Sequence, residues 1–427
     1  MIPERGVSYH VAALAGELQS GTVGPGFSRG TATLANILMA WELGAGYGHL
    51  APLLTLARPL KAAGHQVSFV VRDVVAAEAV LAGSCLPYYP APANFSPAGA
   101  VELHSYPQIL LSTAFNRGDE LRARVRAWRS LFAALKSDVL VADHAPTALL
   151  AARGGPMRCI ITGNGFVLPP DTAPLPDLRP WAPADPKLLA DAEAQALRHM
   201  NDVAQRLGAP PLDRFADLYA GAAPALFTFP ELDNYSALRT GVEYWGILPG
   251  PGGAVPSWPD GKGKRVFFYG QPFPSLPGVL EALSTAPYRT LVYIPKLDPE
   301  LRRLASMQLA FADRLQDMAA ITRECDAALM TNGHSTTASM LLAGKPMVIL
   351  PQHLEMFLIG RSIEESGAGL TAPALKRDGI LGKLKRVLDE PSFGEKVRAI
   401  AMRYNDWDAT SPVTKFTALA TRLAEER

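Results

Sequence analysis

The sequence predicts an α/β protein built from two doubly wound domains that face each other across a cleft. Three observations lead there. Apolar strands alternate with amphipathic helices in two successive sets, a Gly/Pro-rich segment separates the sets, and 427 residues exceed what one core accommodates. The first set opens with Asn36–Trp41, a nearly continuous apolar run, followed by the turn Gly44, Gly46 and Gly48. Leu53, Leu56, Leu60 and Ala63 keep one face of a helix over Pro52–Ala63 dry, Gly64 stops it, and Val67–Val71 is the next strand. This is a βαβ unit, and His49 stands at the carboxyl edge of its first strand, where open parallel sheets gather their ligands. A Pro-rich loop (Leu86–Pro97), a helix through Leu121–Leu135, a strand Val139–Ala142 ending at Asp143 and the strand-then-turn "CIITGNGF" from Cys159 continue the rhythm. A second Pro-rich loop spans Pro169–Pro186 and a helix follows it. Between Tyr244 and Arg265 lie six glycines and four prolines, which exclude helix and central strand and mark a linker over 241–262. Behind it the pattern restarts with strand Val266–Tyr269, helix Leu276–Leu283, strand Thr290–Ile294, a strand ending at Met330 or Thr331, and strand Met347–Leu350.

Composition narrows the function classes. Lys and Arg total 41 against 40 acids, so net charge suggests neither a nucleic acid nor an anionic membrane as partner. Cys85, Cys159 and Cys325 are widely separated and read as reduced, buried thiols. No apolar run approaches the ~18 residues of a membrane span, and residues 1–35, with a helical-looking Val11–Leu18, lack a signal-peptide core. The expected location is cytoplasmic, the expected state a monomer or homodimer.

The second half carries an anion site. A strand ends at Met330 or Thr331, small residues turn the chain, and a helix begins near Thr336. Its free N–H groups and positive dipole end face whatever fills the turn. Ser335, Thr336 and Thr337 add hydroxyl donors suited to a pyrophosphate, and Gly333 allows close backbone approach. A plain N-cap accounts for one such hydroxyl, not for three in a row.

The block "DAALMTNGHSTTASMLLAGKPMVILPQHLEMFLIGRSIEESGAGL", Asp326 to Leu370, resembles the donor-sugar signature of the UDP-glycosyltransferase-like family of GT-B fold enzymes, which includes macrolide and other natural-product glycosyltransferases. "GHLAPLLTLARPLKAAGHQV" resembles the family's N-terminal motif, "FPELDNYSALRTGVEYWGILPG" its lead-in to the linker and "VFFYGQ" its first C-domain strand, so the likeness runs over most of residues 36 to 400. It implies two Rossmann-like domains: an acceptor-binding domain over 36–240 and a nucleotide-sugar domain over 263–404. It also implies a C-terminal helix, 405–427, crossing back to brace the first domain. The activity implied is inverting transfer of a sugar from a UDP- or dTDP-linked donor to a hydroxyl of a small hydrophobic acceptor, with no cofactor besides that donor.

Such a transfer needs a base of near-neutral pKa to take the acceptor's proton, and a partner to orient the base. His49, three residues before Pro52, matches the family's catalytic histidine, and Asp143 its aspartate, with His144 adjacent; a helix-capping role for either residue is the plainer alternative. The diphosphate is expected against Gly333–Thr337, with Gly270 and Gln271 nearby, and the sugar near Glu355, where the family carries an acid, in a loop Pro351–Met356. No DxD-type pair is placed to hold a metal. The acceptor is expected between the loops Leu86–Pro97 and Phe166–Trp181. Three positions depart from the family: Thr331 replaces its phosphate-binding histidine, Ser339 its ribose-binding glutamate and Met356 its glutamine, while His334 is a substitute donor or a solvated loop residue. Two other classes therefore remain open: a nucleotide-sugar epimerase of the same fold, and a non-catalytic partner protein.

Overall fold

β1 (Asn36–Trp41) pairs in parallel with β2 (Gln66–Val71) on one side and β4 (Val139–Asp143) on the other, because all three are apolar runs buried on both faces. The sheet continues outward through β3 (Tyr88–Pro90) beyond β2, and through β5 (Arg158–Gly163) and β6 (Ala223–Leu226) beyond β4. A second sheet is built from β7 (Arg265–Tyr269), β8 (Arg289–Tyr293), β9 (Leu309–Phe311), β10 (Ala327–Met330), β11 (Met347–Ile349) and β12 (Gly369–Thr371). Among the described residues the strand orders are β3-β2-β1-β4-β5-β6 and β12-β11-β10-β7-β8-β9, the same doubly wound order twice, with every pairing parallel. The computed structural model describes residues 34–93, 102–250, 252–331 and 333–426, and Leu34–Arg427 forms one compact unit. The N-terminal stretch Val11–Leu18 lies outside the described residues, as do positions 94–97 of the first Pro-rich loop.

Each sheet reverses its winding once: between β1 and β4 in the first, between β7 and β10 in the second. At such points the flanking loops diverge and leave a crevice at the carboxyl edge. His49 and Asp143 leave the first crevice; Gly270, Gln271, Thr331 and Gly333 leave the second. Apolar side chains cover both faces of both sheets. In the last helix, Ser411–Glu425, Phe416, Ala420 and Ala424 lie in the same buried cluster as Met39 and Leu53 of the first lobe.

Several local expectations need correction. The helix after β1 is Tyr47–Ala62, five residues longer at its start than expected, because Gly46 takes a left-handed φ of 77° and lets the chain enter the helix early. His49 therefore belongs to the helix's first turn. The helix after β10 is His334–Leu342, begun by Gly333 at φ 105°, and the helix after β11 is Leu354–Glu365, which puts Glu355 in a first turn instead of a loop. The loop after Leu86 contains β3, held by parallel pairing of Tyr88 with Phe69. Cys85 is exposed, in a left-handed turn with φ 54°, and only Cys325 is fully buried.

Candidate active site

The tautomer of His49 follows from its partner. Its Nδ1 donates to Asp143 Oδ1 at 3.1 Å, which leaves Nε2 as the nitrogen with a lone pair. Trp41, the last residue of β1, stacks on the imidazole at 5.4 Å between centroids and 20° between planes. Gly44, at φ 88°, makes room: a Cβ there would lie 2.3 Å from Nε2. Arg72 donates to the Gly44 carbonyl at 3.0 Å and holds that turn in place. Burial works to lower the His49 pKa, but the charge and hydrogen bond of Asp143, with the charge of Glu355, outweigh it and hold the imidazole above 6.5.

Beneath this pair lies a buried acid that sequence reasoning passed over. Glu42, fully buried beside Trp41, accepts from Trp128 Nε1, from the Thr147 hydroxyl and, at 2.8 Å, from the Thr147 backbone N–H. Burial pushes its carboxyl to about 7. It ties the end of β1 to the start of the helix that follows Asp143. The one visible signal was an acid inside an apolar run, "MAWEL". His144 is buried at φ 45°, its Nε2 has no hydrogen-bond partner among the described residues, and burial drives its pKa well below 6.5. It borders a cavity of about 10 Å³, room for one water, shared with Tyr106, Thr162, Val167 and Tyr219.

In the second lobe the hydroxyls divide into two kinds. Thr331 is buried, and its Oγ1 accepts from Gln271 N at 2.6 Å, joining the two loops of the crevice; a Cβ on Gly270 would lie 2.0 Å from that oxygen. Thr337 is also buried and donates to the Gly333 carbonyl at 3.0 Å, inside its own helix, and Ser339 donates to Ser335 O at 2.9 Å. The expectation of three hydroxyls at the turn is corrected accordingly. Ser335 is exposed and Thr336 half-buried at the helix N-terminus, while Thr337 is consumed by back-bonding to the preceding turn. Gln271 is exposed and its carbonyl accepts from Gln352 Nε2 at 3.3 Å.

Groups of both lobes meet between these crevices. His334 Nε2 lies 2.8 Å from Thr228 Oγ1 of the first lobe; burial lowers its pKa despite the charges of Glu355 and Asp233. Glu355 accepts from Asn164 Nδ2, just beyond β5, at 2.6 Å. Trp181 packs on Phe357 at 5.1 Å and carries the Arg361 guanidinium over its ring at 4.4 Å. The charge of Glu355 favours the protonated form of both His49 and His334. Among the described residues no group of three or more His, Cys, Asp and Glu is arranged to hold a metal ion, and no helix is long and apolar enough to cross a membrane.

Two six-stranded parallel sheets with opposed crevices define the GT-B fold. Solved structures of that fold match this chain over nearly its whole length. SsfS6, a glycosyltransferase of Streptomyces sp. SF2575, superposes with a TM-score of 0.59 at 20% identity, covering 92% of this chain and 99% of that one. CalG4, the calicheamicin glycosyltransferase, gives 0.64 at 16% identity over 92% and 99%. VinC, a glycosyltransferase solved in complex with dTDP, gives 0.64 at 16% identity over 92% and 100%. No family model matches the chain. A sterol 3-beta-glucosyltransferase of Vanderwaltozyma polyspora is 33% identical over 78 residues, 18% of this chain and 6% of that protein. The likeness establishes the fold, and the architecture expected from the sequence is the one found.

Proposed function

We propose that the protein is an inverting, metal-independent glycosyltransferase that moves a sugar from a UDP- or dTDP-linked donor to a hydroxyl of a small hydrophobic acceptor. The observation that carries this reading is the Asp143-oriented His49, with a free Nε2, within electrostatic reach of Glu355 from the opposite lobe. His49 Nε2 takes the proton of the acceptor hydroxyl as that oxygen bonds to the anomeric carbon. The bond from that carbon to the diphosphate oxygen breaks, and its electron pair leaves with the nucleoside diphosphate. Asp143 stabilises the imidazolium that forms. The N-terminus of helix His334–Leu342, with Ser335, Thr336 and the Gln271 side chain, neutralises the departing diphosphate, and Glu355 holds sugar hydroxyls. Natural-product glycosyltransferases of the same fold, one of them solved with dTDP, support the donor class. Phe166 and Trp181, half-buried against the first-lobe core, suit an apolar acceptor.

A non-catalytic reading draws on the internal engagement of the Thr331, Thr337 and Ser339 hydroxyls. One experiment separates the two. Thermal unfolding with UDP, dTDP and GDP should show stabilisation by at least one nucleotide, and His49→Ala should retain that stabilisation while losing sugar transfer. Absence of any nucleotide effect, or full transfer by His49→Ala, contradicts the proposal.

A further inference from the structure

Asn164 leaves the same sheet edge as Asp143, one strand over, since Asp143 and Thr162 are paired neighbours on β4 and β5. Its amide crosses to the second lobe and donates to Glu355 Oε1 at 2.6 Å. The loop that presents it is fixed from several sides. Asn164 Oδ1 accepts from Phe166 N at 3.2 Å, and Arg239 donates to the carbonyls of Gly165, at 3.2 Å, and Leu168. Arg239 is itself paired with the buried Asp233, which also accepts from Tyr244 Oη at 2.8 Å. Gly165 is required by this packing, because a Cβ there would lie 1.9 Å from Asp233 Oδ1. A chance contact between two surface side chains needs no such clamp.

The pair has hydrogen-bonding capacity left over. A carboxamide nitrogen carries two hydrogens and Glu355 accepts one of them. Among the described residues Glu355 has Asn164 as its hydrogen-bond partner, and its second oxygen is unclaimed. An N–H donor and a carboxylate acceptor therefore stand side by side. A sugar hydroxyl matches both, donating to the carboxylate while accepting from the amide.

We infer that Asn164 is a sugar-positioning residue supplied by the acceptor-side lobe: with Glu355 it grips one hydroxyl of the transferred sugar, so the donor is a hexose bearing that hydroxyl, not a sugar deoxygenated there. This rests on the reading of Glu355 given under Proposed function. A site that binds a hydroxyl from both sides discriminates strongly against an analogue lacking it, because the buried polar groups are then left unpaired.

The test is a cycle between side chain and substrate. Release of nucleoside diphosphate by the full-length protein is measured with dTDP-glucose and with its 3-deoxy, 4-deoxy and 6-deoxy analogues, for wild type, Asn164→Ala and the near-isosteric Asn164→Asp. Each variant's unfolding temperature and dTDP affinity are followed alongside. For dTDP-glucose, kcat/KM falls at least tenfold in both variants while dTDP affinity stays within twofold. For one deoxy analogue the penalty of the same substitutions collapses to less than threefold. Equal penalties on every donor make Asn164 a latch between lobes and overturn the inference, as does an undiminished rate on dTDP-glucose. If wild type binds dTDP and turns over while the variants show neither pattern, only this inference fails. If wild type binds no nucleotide, the proposed function fails with it.

Discussion

Gly44→Ala tests how closely the site is built around His49. The new methyl would lie 2.3 Å from Nε2, against an optimal separation of roughly 3.5 Å, an overlap of about 1.2 Å. The ring has nowhere to retreat, because Trp41 covers one face and Asp143 holds Nδ1 at 3.1 Å. Either the imidazole gives up its carboxylate or the turn opens, and the φ of 88° adds roughly 1–2 kcal/mol of strain for any residue with a side chain. The methyl also fills the space in front of Nε2 that an acceptor hydroxyl needs. Displacing a catalytic group by about 1 Å costs on the order of 100-fold, so kcat should fall by that factor or more. On the proposed reading the nucleotide is held by the other lobe, so its affinity should not change. Steady-state nucleoside diphosphate release from dTDP-glucose or UDP-glucose, with dTDP affinity from calorimetry, reads both quantities. A Gly44→Ala protein within threefold of wild-type kcat would refute the placement of Nε2 as the reacting atom.

Three other substitutions probe the same framework. Asp143→Asn removes the charge that holds the His49 pKa above 6.5, so its midpoint in an NMR titration should drop, and the acid limb of the rate profile should move down with it. The raised value also means that protonated His49 stabilises the fold below pH 6.5 and that this contribution fades as pH rises through the raised pKa, so the variant's loss of stability should be greatest in acid; an unmoved midpoint contradicts the pairing. Glu42→Gln removes a carboxyl whose pKa is raised from 4.5 to about 7, which makes the wild type relatively less stable once that group ionises. The variant should therefore be less damaging at pH 8 than at pH 5, by up to about 3 kcal/mol in denaturant unfolding, and equal losses at both pH values would refute the burial argument. Thr331→Val strands the Gln271 N–H, at a cost of about 2 kcal/mol, and should weaken dTDP binding by loosening the crevice; unchanged calorimetric affinity would separate the turn from the nucleotide site.

The repeated doubly wound order was legible because strands buried on both faces and helices with one dry face have different periods, and a string of residues displays period directly. The ranges of β1 and of the helix Leu276–Leu283 follow from that alone. His49 was visible through the glycines around it, and the helix terminus through the small residues before it. What a linear pattern does not carry is which side chain reaches which. That Thr337 and Ser339 spend their hydroxyls on their own helix depends on rotamers, and that Gly46 starts a helix early depends on a positive φ. Asn164 meets Glu355 across 191 residues, and Glu42 caps a helix 105 residues away, contacts that exist only after two sheets have stacked their loops in space. Local preference fixed which elements form, since it acts over a few residues. The juxtaposition of imidazole, carboxamide and carboxylate was decided by the packing of one lobe's crevice against the other, where distance along the chain no longer measures distance in the molecule.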